Sequence, residues 1–277
     1  MRKPVLIVLL LLLLCRVTPA KACTILYYVD SGSGKIYAVN NEDYWYNVKA
    51  YIRIVPGKKH SLARLWYGWK NFAQGGINEA GLYFDGAATP QQRNMKGLVK
   101  GGGNLGDRIL SKCRTVEEAI GFLTRHGITL SDGHVLLGDR TGNAVVVEWV
   151  NGERRIVHIT DNRLLVTNFL LTDTAKGNYP CPRYTVMDRE IKRLQQNNTA
   201  VALKDVRNVL AKTIQPVRKN KDGREWGTLY SSFINITDMK FVLVYKYNNA
   251  HTTEIDLAQA FASRTRQRIW LDEQHDR

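Results

Sequence analysis

Apolar and polar residues alternate in short runs over the first two thirds of the chain, and Gly, Asn, Asp or Ser bounds each run. This is the pattern of half-buried strands joined by tight turns. Thr24–Val29, Lys35–Asn40, Tyr51–Val55, Leu62–Trp66, Phe72–Ile77 and Leu82–Asp85 are predicted as strands. Asp30-Ser31-Gly32-Ser33-Gly34 makes the first hairpin turn, and Asn78-Glu79-Ala80-Gly81 makes a second. The period then becomes helical. Asn104 caps a helix running to about Lys112, and Thr115 with Glu118 three residues on forms a capping box for Val116–Arg125. Strands resume as Val135–Asp139, Ala144–Val150, Arg154–Ile159 and Leu164–Thr167, with Asn151-Gly152 as a hairpin dipeptide. Helical spacing returns in Tyr184–Gln195 and Ala202–Thr213, and strands near Leu229–Ile236 and Lys240–Tyr247 follow. Strands, helices and strands again, without a linker-like stretch, predict one layered α+β domain over residues 23–277.

Composition adds a compartment to this picture. The 277 residues are 44% hydrophobic, which suits a globular protein. One long apolar run, Val5 to Leu14, lies behind a Met-Arg-Lys start and ahead of Ala20-Lys21-Ala22. A basic start, a short apolar segment and a small-x-small ending predict a secretory signal over residues 1–22, cut after Ala22, and a secreted or periplasmic mature chain beginning at Cys23. Arg16 and Pro19 end the run short of the ~20 apolar residues of a spanning helix, so no stable membrane insertion is expected. The formal charge of +15 is thickest between Lys204 and Arg224, where no aromatics interleave. General surface charge accounts for it, and no nucleic-acid partner is expected. Cys113 and Cys181 either pair or remain buried thiols, and spacing decides neither. No Cys-x-x-Cys pair or His-Glu-x-x-His occurs, so no metal site is predicted. Gly101-Gly102-Gly103 precedes no Lys-Ser/Thr and reads as a loop, and no cofactor is expected.

A cysteine exposed at the N-terminus joins nucleophile and base in one residue. Its thiol attacks, and its own α-amine, with an ordinary pKa near ~7.7–8.0, can carry the proton. Downstream blocks strengthen this reading. Cys23-Thr24, Val39-Asn40-Asn41-Glu42-Asp43-Tyr44, Gly76-Ile77-Asn78-Glu79-Ala80-Gly81-Leu82, Arg114–Ala119, Ala144–Trp149, Val166-Thr167-Asn168-Phe169, Pro182-Arg183-Tyr184 and Ser231–Tyr247 stand in one order. In that order the sequence resembles the choloylglycine hydrolase and penicillin V acylase family of N-terminal nucleophile hydrolases.

The resemblance implies a four-layer αββα sandwich and a set of roles. Cys23 would be nucleophile and, through its amine, proton carrier; Asp43 would hold that amine; Asn168 would donate to the oxyanion; Arg183 would orient the surroundings of the thiol. Asn40 stands where the family has an arginine, and Ala88 falls where a second oxyanion asparagine is expected. Asn40, Tyr44 and Trp45 are the candidates for contacts with substrate. Glu42 and Glu148 are read as a loop acid and a strand residue, with no catalytic role for either. The implied activity is cleavage of a linear carbon–nitrogen amide in a small N-acylated substrate with an apolar acyl part. Bile-salt, penicillin V-like, homoserine-lactone and fatty amides all fit. An acyltransferase of the same fold is the nearest alternative, and a non-catalytic surface protein anchored by lipid on Cys23 is one of another class. Homo-oligomerisation stays open.

Overall fold

The computed structural model describes residues 22–92, 99–100, 103–177, 179–197 and 199–273. The predicted leader, apart from Ala22, and Gly101-Gly102 lie outside the described residues.

Two antiparallel sheets face each other. The strands that build them are β1 (Ala22–Val29), β2 (Ile36–Trp45), β3 (Tyr51–Val55), β4 (Arg64–Trp69), β5 (Phe72–Asn78), β6 (Tyr83–Ala88), β7 (Gly133–Gly138), β8 (Ala144–Val150), β9 (Glu153–His158), β10 (Arg163–Val166), β11 (Glu225–Asn235), β12 (Lys240–Tyr245), β13 (Thr252–Asp256) and β14 (Gln267–Trp270). The seven-stranded sheet has the order β10-β1-β2-β11-β12-β13, with Arg218–Lys219 paired onto β11. The eight-stranded sheet runs β9-β8-β7-β6-β5-β4-β3-β14. Alternation sends Ile25, Tyr27 and Ala38 inward to a core shared with Leu65, Tyr83 and Leu136 of the other sheet.

The outer faces are closed by helices. α1 (Leu105–Lys112) and α2 (Val116–Arg125) bury Ile109, Leu110, Phe122 and Leu123 against Trp66, Phe84 and Val147 of the eight-stranded sheet. α3 (Pro182–Gln196) and α4 (Leu203–Ala211) bury Met187, Ile191, Val206 and Leu210 against Leu26, Tyr28 and Val39 of the other. The result is the α+β, four-layer αββα sandwich.

Both predicted cap residues take their positions, but the capping box at Thr115 is half formed, since Glu118 takes Arg114 N and not Thr115 N. Asn104 accepts from Asp107 N, and Thr115 accepts from Glu118 N. Glu118 accepts from Arg114 N. Asn78 ties its hairpin to the end of α1: its amide donates to Leu110 O (2.9 Å) and Cys113 O (2.7 Å), and its oxygen accepts from Ala80 N and Leu82 N.

One open choice is resolved and two expectations are corrected. Of the two alternatives for Cys113 and Cys181 the structure shows the second: Cys113 packs under α1 and α2, whereas Cys181 caps α3 in the opposite outer layer, so both are buried free thiols with two sheets between them. β2 continues five residues past the predicted end at Asn40, because β1 and β11 flank it and satisfy the backbone of its polar half. β13, β14 and α5 (Leu257–Ala262) are absent from the sequence reading. Their mixed composition carries little periodicity, and the exposed edges of β12 and β3 supply the pairing that orders the two strands.

Candidate active site

The first hairpin sets the site. Its register places Ala22 opposite Asp43, Cys23 opposite Glu42 and Ile25 opposite Asn40. Side chains alternate faces along a strand, so Cys23, Asn40, Glu42 and Tyr44 share the inner face, while Thr24, Asp43 and Trp45 face the α3/α4 layer. One hairpin thereby supplies two different environments on either side of the same backbone.

On the inner face, Cys23 is 4% exposed and its thiol donates to Glu42 Oε1 at 3.4 Å. Asn40 Nδ2 bridges Glu42 Oε2 (3.4 Å) and Asp85 Oδ1 (3.2 Å). Asp85 Oδ2 accepts from the hydroxyls of Tyr67 (2.8 Å) and Tyr83 (2.9 Å). Burial pushes the Cys23 thiol well up, and the nearby carboxyls of Glu42, Asp43 and Asp85 push it further. Glu42 is likewise raised well above the usual carboxylate range, by burial first and by Asp85 second. Burial lifts Asp85 to about 7 against its hydrogen bonds from Tyr67 and Tyr83.

On the outer face, Arg183 in the first turn of α3 gathers the segments together. Its Nη1 donates to Cys23 O (2.8 Å) and Thr24 Oγ1 (2.6 Å) and lies 3.4 Å from Asp43 Oδ2. Its Nη2 donates to Asn168 Oδ1 at 2.9 Å. A planar fork of donors suits such a multi-partner role. Asp43 also accepts from Thr228 Oγ1 (2.6 Å), and burial raises it to about 7 although Arg183 pulls it down. Asn168 Oδ1 accepts from Cys23 N at 3.0 Å, and its Nδ2 donates to Ala88 O at 2.9 Å.

A cavity of about 620 Å³ opens over the thiol. Tyr44, Trp69, Phe72, Phe84, Leu105 and Leu130 make it largely apolar, and Cys23, Glu42, Asn168 and His134 are among its polar lining. Tyr44 and Trp69 pack ring on ring, with centroids 4.4 Å apart.

Cys23, Asp43, Asn168 and Arg183 are therefore brought into one contiguous cluster. In it, the nitrogen of Cys23 meets Asn168 Oδ1, while Asp43 engages Arg183 and Thr228. Of the substrate-side candidates, Tyr44 lines the cavity. Asn40 lies fully buried beside Glu42, and Trp45 is turned away under the guanidinium of Arg224. That is a correction for Trp45, and its cause is the two-residue period of β2.

Glu42, read from the sequence as a loop acid, is corrected to a residue of β2 that touches the thiol, and the signal for it was the hairpin register itself. Glu148 is the strand residue expected, but its contacts and those of His134 were hidden by their separation along the chain. His134 Nε2 bonds Thr167 O (2.9 Å), and Glu148 accepts from Leu171 N (3.0 Å) and Thr172 N (2.7 Å), which fixes the chain on both sides of Asn168. Burial would raise Glu148, but its bonds from His134, Thr172 and Leu171 outweigh it and hold the carboxyl below its usual range.

The family model described as acyl-coenzyme A:6-aminopenicillanic acid acyl-transferase matches residues 29–250. No curated protein matches the sequence. Among solved structures, penicillin V acylase from Agrobacterium tumefaciens is similar at TM-score 0.65 and 14% identity, over 86% of each chain. A variant of conjugated bile acid hydrolase from Clostridium perfringens is similar at TM-score 0.68 and 16% identity, over 90% of this chain and 96% of that one. The Caenorhabditis elegans ortholog of N-acylethanolamine-hydrolyzing acid amidase is similar at TM-score 0.55 and 14% identity, over 78% of this chain and 93% of that one. At these identities the likeness is one of fold.

Proposed function

The chain belongs to the acyl-coenzyme A:6-aminopenicillanic acid acyl-transferase family, and from that premise we propose that it is an exported hydrolase of linear N-acyl amides with Cys23 as nucleophile. The observation that carries this reading is the double use of Asn168. Its oxygen holds the nitrogen of Cys23, its amide donates to Ala88 O, and all three residues line the one cavity.

The chemistry follows from that placement. The sulfur attacks the substrate carbonyl, and Asn168 Nδ2 donates to the oxyanion that develops. A backbone donor fits the same spot. Ala88 pairs with Gly133 in a ladder where Thr89 N bonds Asp132 O. Antiparallel alternation then aims the N–H and C=O of Ala88 to the side where Asn168 lies. Collapse expels the amine and leaves a thioester, which water clears. Removal of residues 1–22 converts the Cys23 peptide nitrogen into an amine already held by Asn168 Oδ1, positioned to protonate the departing amine. The apolar lining favours an apolar acyl group.

Lipid anchoring through Cys23 fits poorly, since the thiol lies 4% exposed inside a paired strand. Acyl transfer is kept as a second reading because the matching family carries a transferase description; an added acceptor amine that captures the acyl group faster than water would establish it.

The test pairs intact-mass analysis of the exported protein with turnover of an N-acyl amide panel. A mature chain starting at an unmodified Cys23, active as wild type and silent as Cys23→Ala, is the expected result. Equal turnover by both forms, or a diacylglyceryl adduct on Cys23, would overturn it.

A further inference from the structure

The thiol needs a proton acceptor, and the group in contact with it is a carboxyl. We propose that Glu42 is a catalytic residue that takes the proton from Cys23 during attack and returns it to the sulfur when the thioester breaks. This rests on the amide-hydrolase reading of the site and adds to it a second proton carrier on the thiol side.

The geometry supplies the argument. A general base must first lie within hydrogen-bond reach of the proton it removes. Glu42 Oε1 is 3.4 Å from Sγ, on the same face of the hairpin and in the wall of the same cavity. Its other oxygen is fixed by Asn40 Nδ2, so the carboxyl is aimed and not merely nearby.

The contrast with Glu148 separates a working carboxyl from a structural one. Glu148 is fully buried and satisfied by two backbone N–H groups, the Thr172 hydroxyl and His134. Glu42 is 3% exposed, yet among the described residues its partners are the thiol and one side-chain amide. A buried carboxylate with so little support costs free energy that packing alone would not retain.

Its surroundings tune it for exchange. Cys23 of β1, Asp85 of β6 and Tyr230 of β11 lie around it, Asp43 of its own strand acts on it from the other face of the hairpin, and the ammonium of processed Cys23 is the cation beside this group. Burial first and Asp85 second move its titration up from the ordinary carboxylate range, which makes the carboxylate a more willing proton acceptor.

The proton count closes over one turnover. In acylation the S–H bond breaks, the proton moves to Glu42, the S–C bond forms, and the carbonyl π pair becomes the oxyanion. The C–N bond then breaks, and the leaving nitrogen takes its proton from the Cys23 ammonium. In deacylation water gives a proton to the Cys23 amine as its oxygen attacks the thioester. The C–S bond breaks, and the sulfur recovers its proton from Glu42. No co-reactant besides water is consumed.

The experiment compares processed wild type, Glu42→Gln and Glu42→Asp in two assays. The first is the pH dependence of Cys23 alkylation by iodoacetamide, which needs no substrate. Wild type should show an inflection belonging to the carboxyl, Glu42→Gln should lack it, and Glu42→Asp should keep it at a shifted position. The second is turnover of N-dodecanoyl ethanolamine and of phenoxyacetyl amides. There Glu42→Gln should lose about 10²–10⁴-fold in kcat with little change in KM, together with the acid limb of the profile. Superimposable alkylation profiles, or a Glu42→Gln enzyme with wild-type kcat and acid limb, would overturn the assignment. If Glu42→Gln fails to fold, the Glu42→Asp profile decides by the same criterion. A wild type that alkylates with the inflection but cleaves no amide would instead sink the hydrolase reading.

Discussion

At the scale of the residue, the candidate active site is a set of buried carboxyls whose titration is set by where the strand aims them. Asp85 shows the consequence most simply. Its ordinary value is 3.8 and its folded value about 7. Between those values the unfolded chain has released the proton while the folded chain still holds it. Folding therefore binds protons in that window, and stability falls as pH rises through it. Asp43, also raised to about 7, contributes with the same sign. The urea midpoint should fall from about pH 4 to about pH 7, and Asp85→Asn should flatten part of that slope; a variant with an unchanged slope would refute the assignment. Cys23 and Asp43 were legible from their neighbours in sequence. Asp85 was not, because what makes it a site residue is a pair of tyrosine hydroxyls from strands β4 and β6 and an amide from β2.

At the scale of the element, helix α3 acts on the site through a single side chain. Pro182 starts the helix, and Arg183 follows it with donors spread over Cys23 O, Thr24 Oγ1 and Asn168 Oδ1. A lysine keeps the charge but not the fork, and it cannot reach all three acceptors in one geometry. Arg183→Lys should therefore fold, by circular dichroism, and lose about 10²-fold in kcat through misplacement of the Asn168 amide; full activity would show that α3 is only a lid over the sheet. The helix itself was readable from its period, and α1 and α2 from their caps, since those signals lie within a few residues of one another. The extension of β2 beyond Asn40 was not readable as strand, because Asn40-Asn41-Glu42-Asp43 has the composition of a turn. Hydrogen-bonding partners on both sides outweigh that local preference.

At the scale of the whole molecule, the two sheets approach closely behind the site. A Cβ on Gly138 would stand 2.3 Å from the ring of Tyr27, and the Tyr27 hydroxyl is itself bonded to Asp139 O, so the ring has nowhere to go. Gly138→Ala should cost about 1–3 kcal/mol in denaturant unfolding; an unchanged midpoint would mean that the sheets can slide apart freely. The alternation of apolar residues was enough to establish the first hairpin, the faces of α1 to α4 and the strands from β1 to β12 apart from the polar half of β2, because period and turn chemistry are properties of consecutive residues. The short blocks around Cys23, Asn78, Asn168 and Arg183 likewise pointed to the chemistry. Tertiary structure alone decided which carboxyl meets the thiol, which tyrosines hold down the titration of Asp85 beside it, and where His134 and Glu148 clamp the Asn168 segment. Those contacts join positions tens of residues apart, and their energies exist only once the sandwich has excluded water from between its sheets.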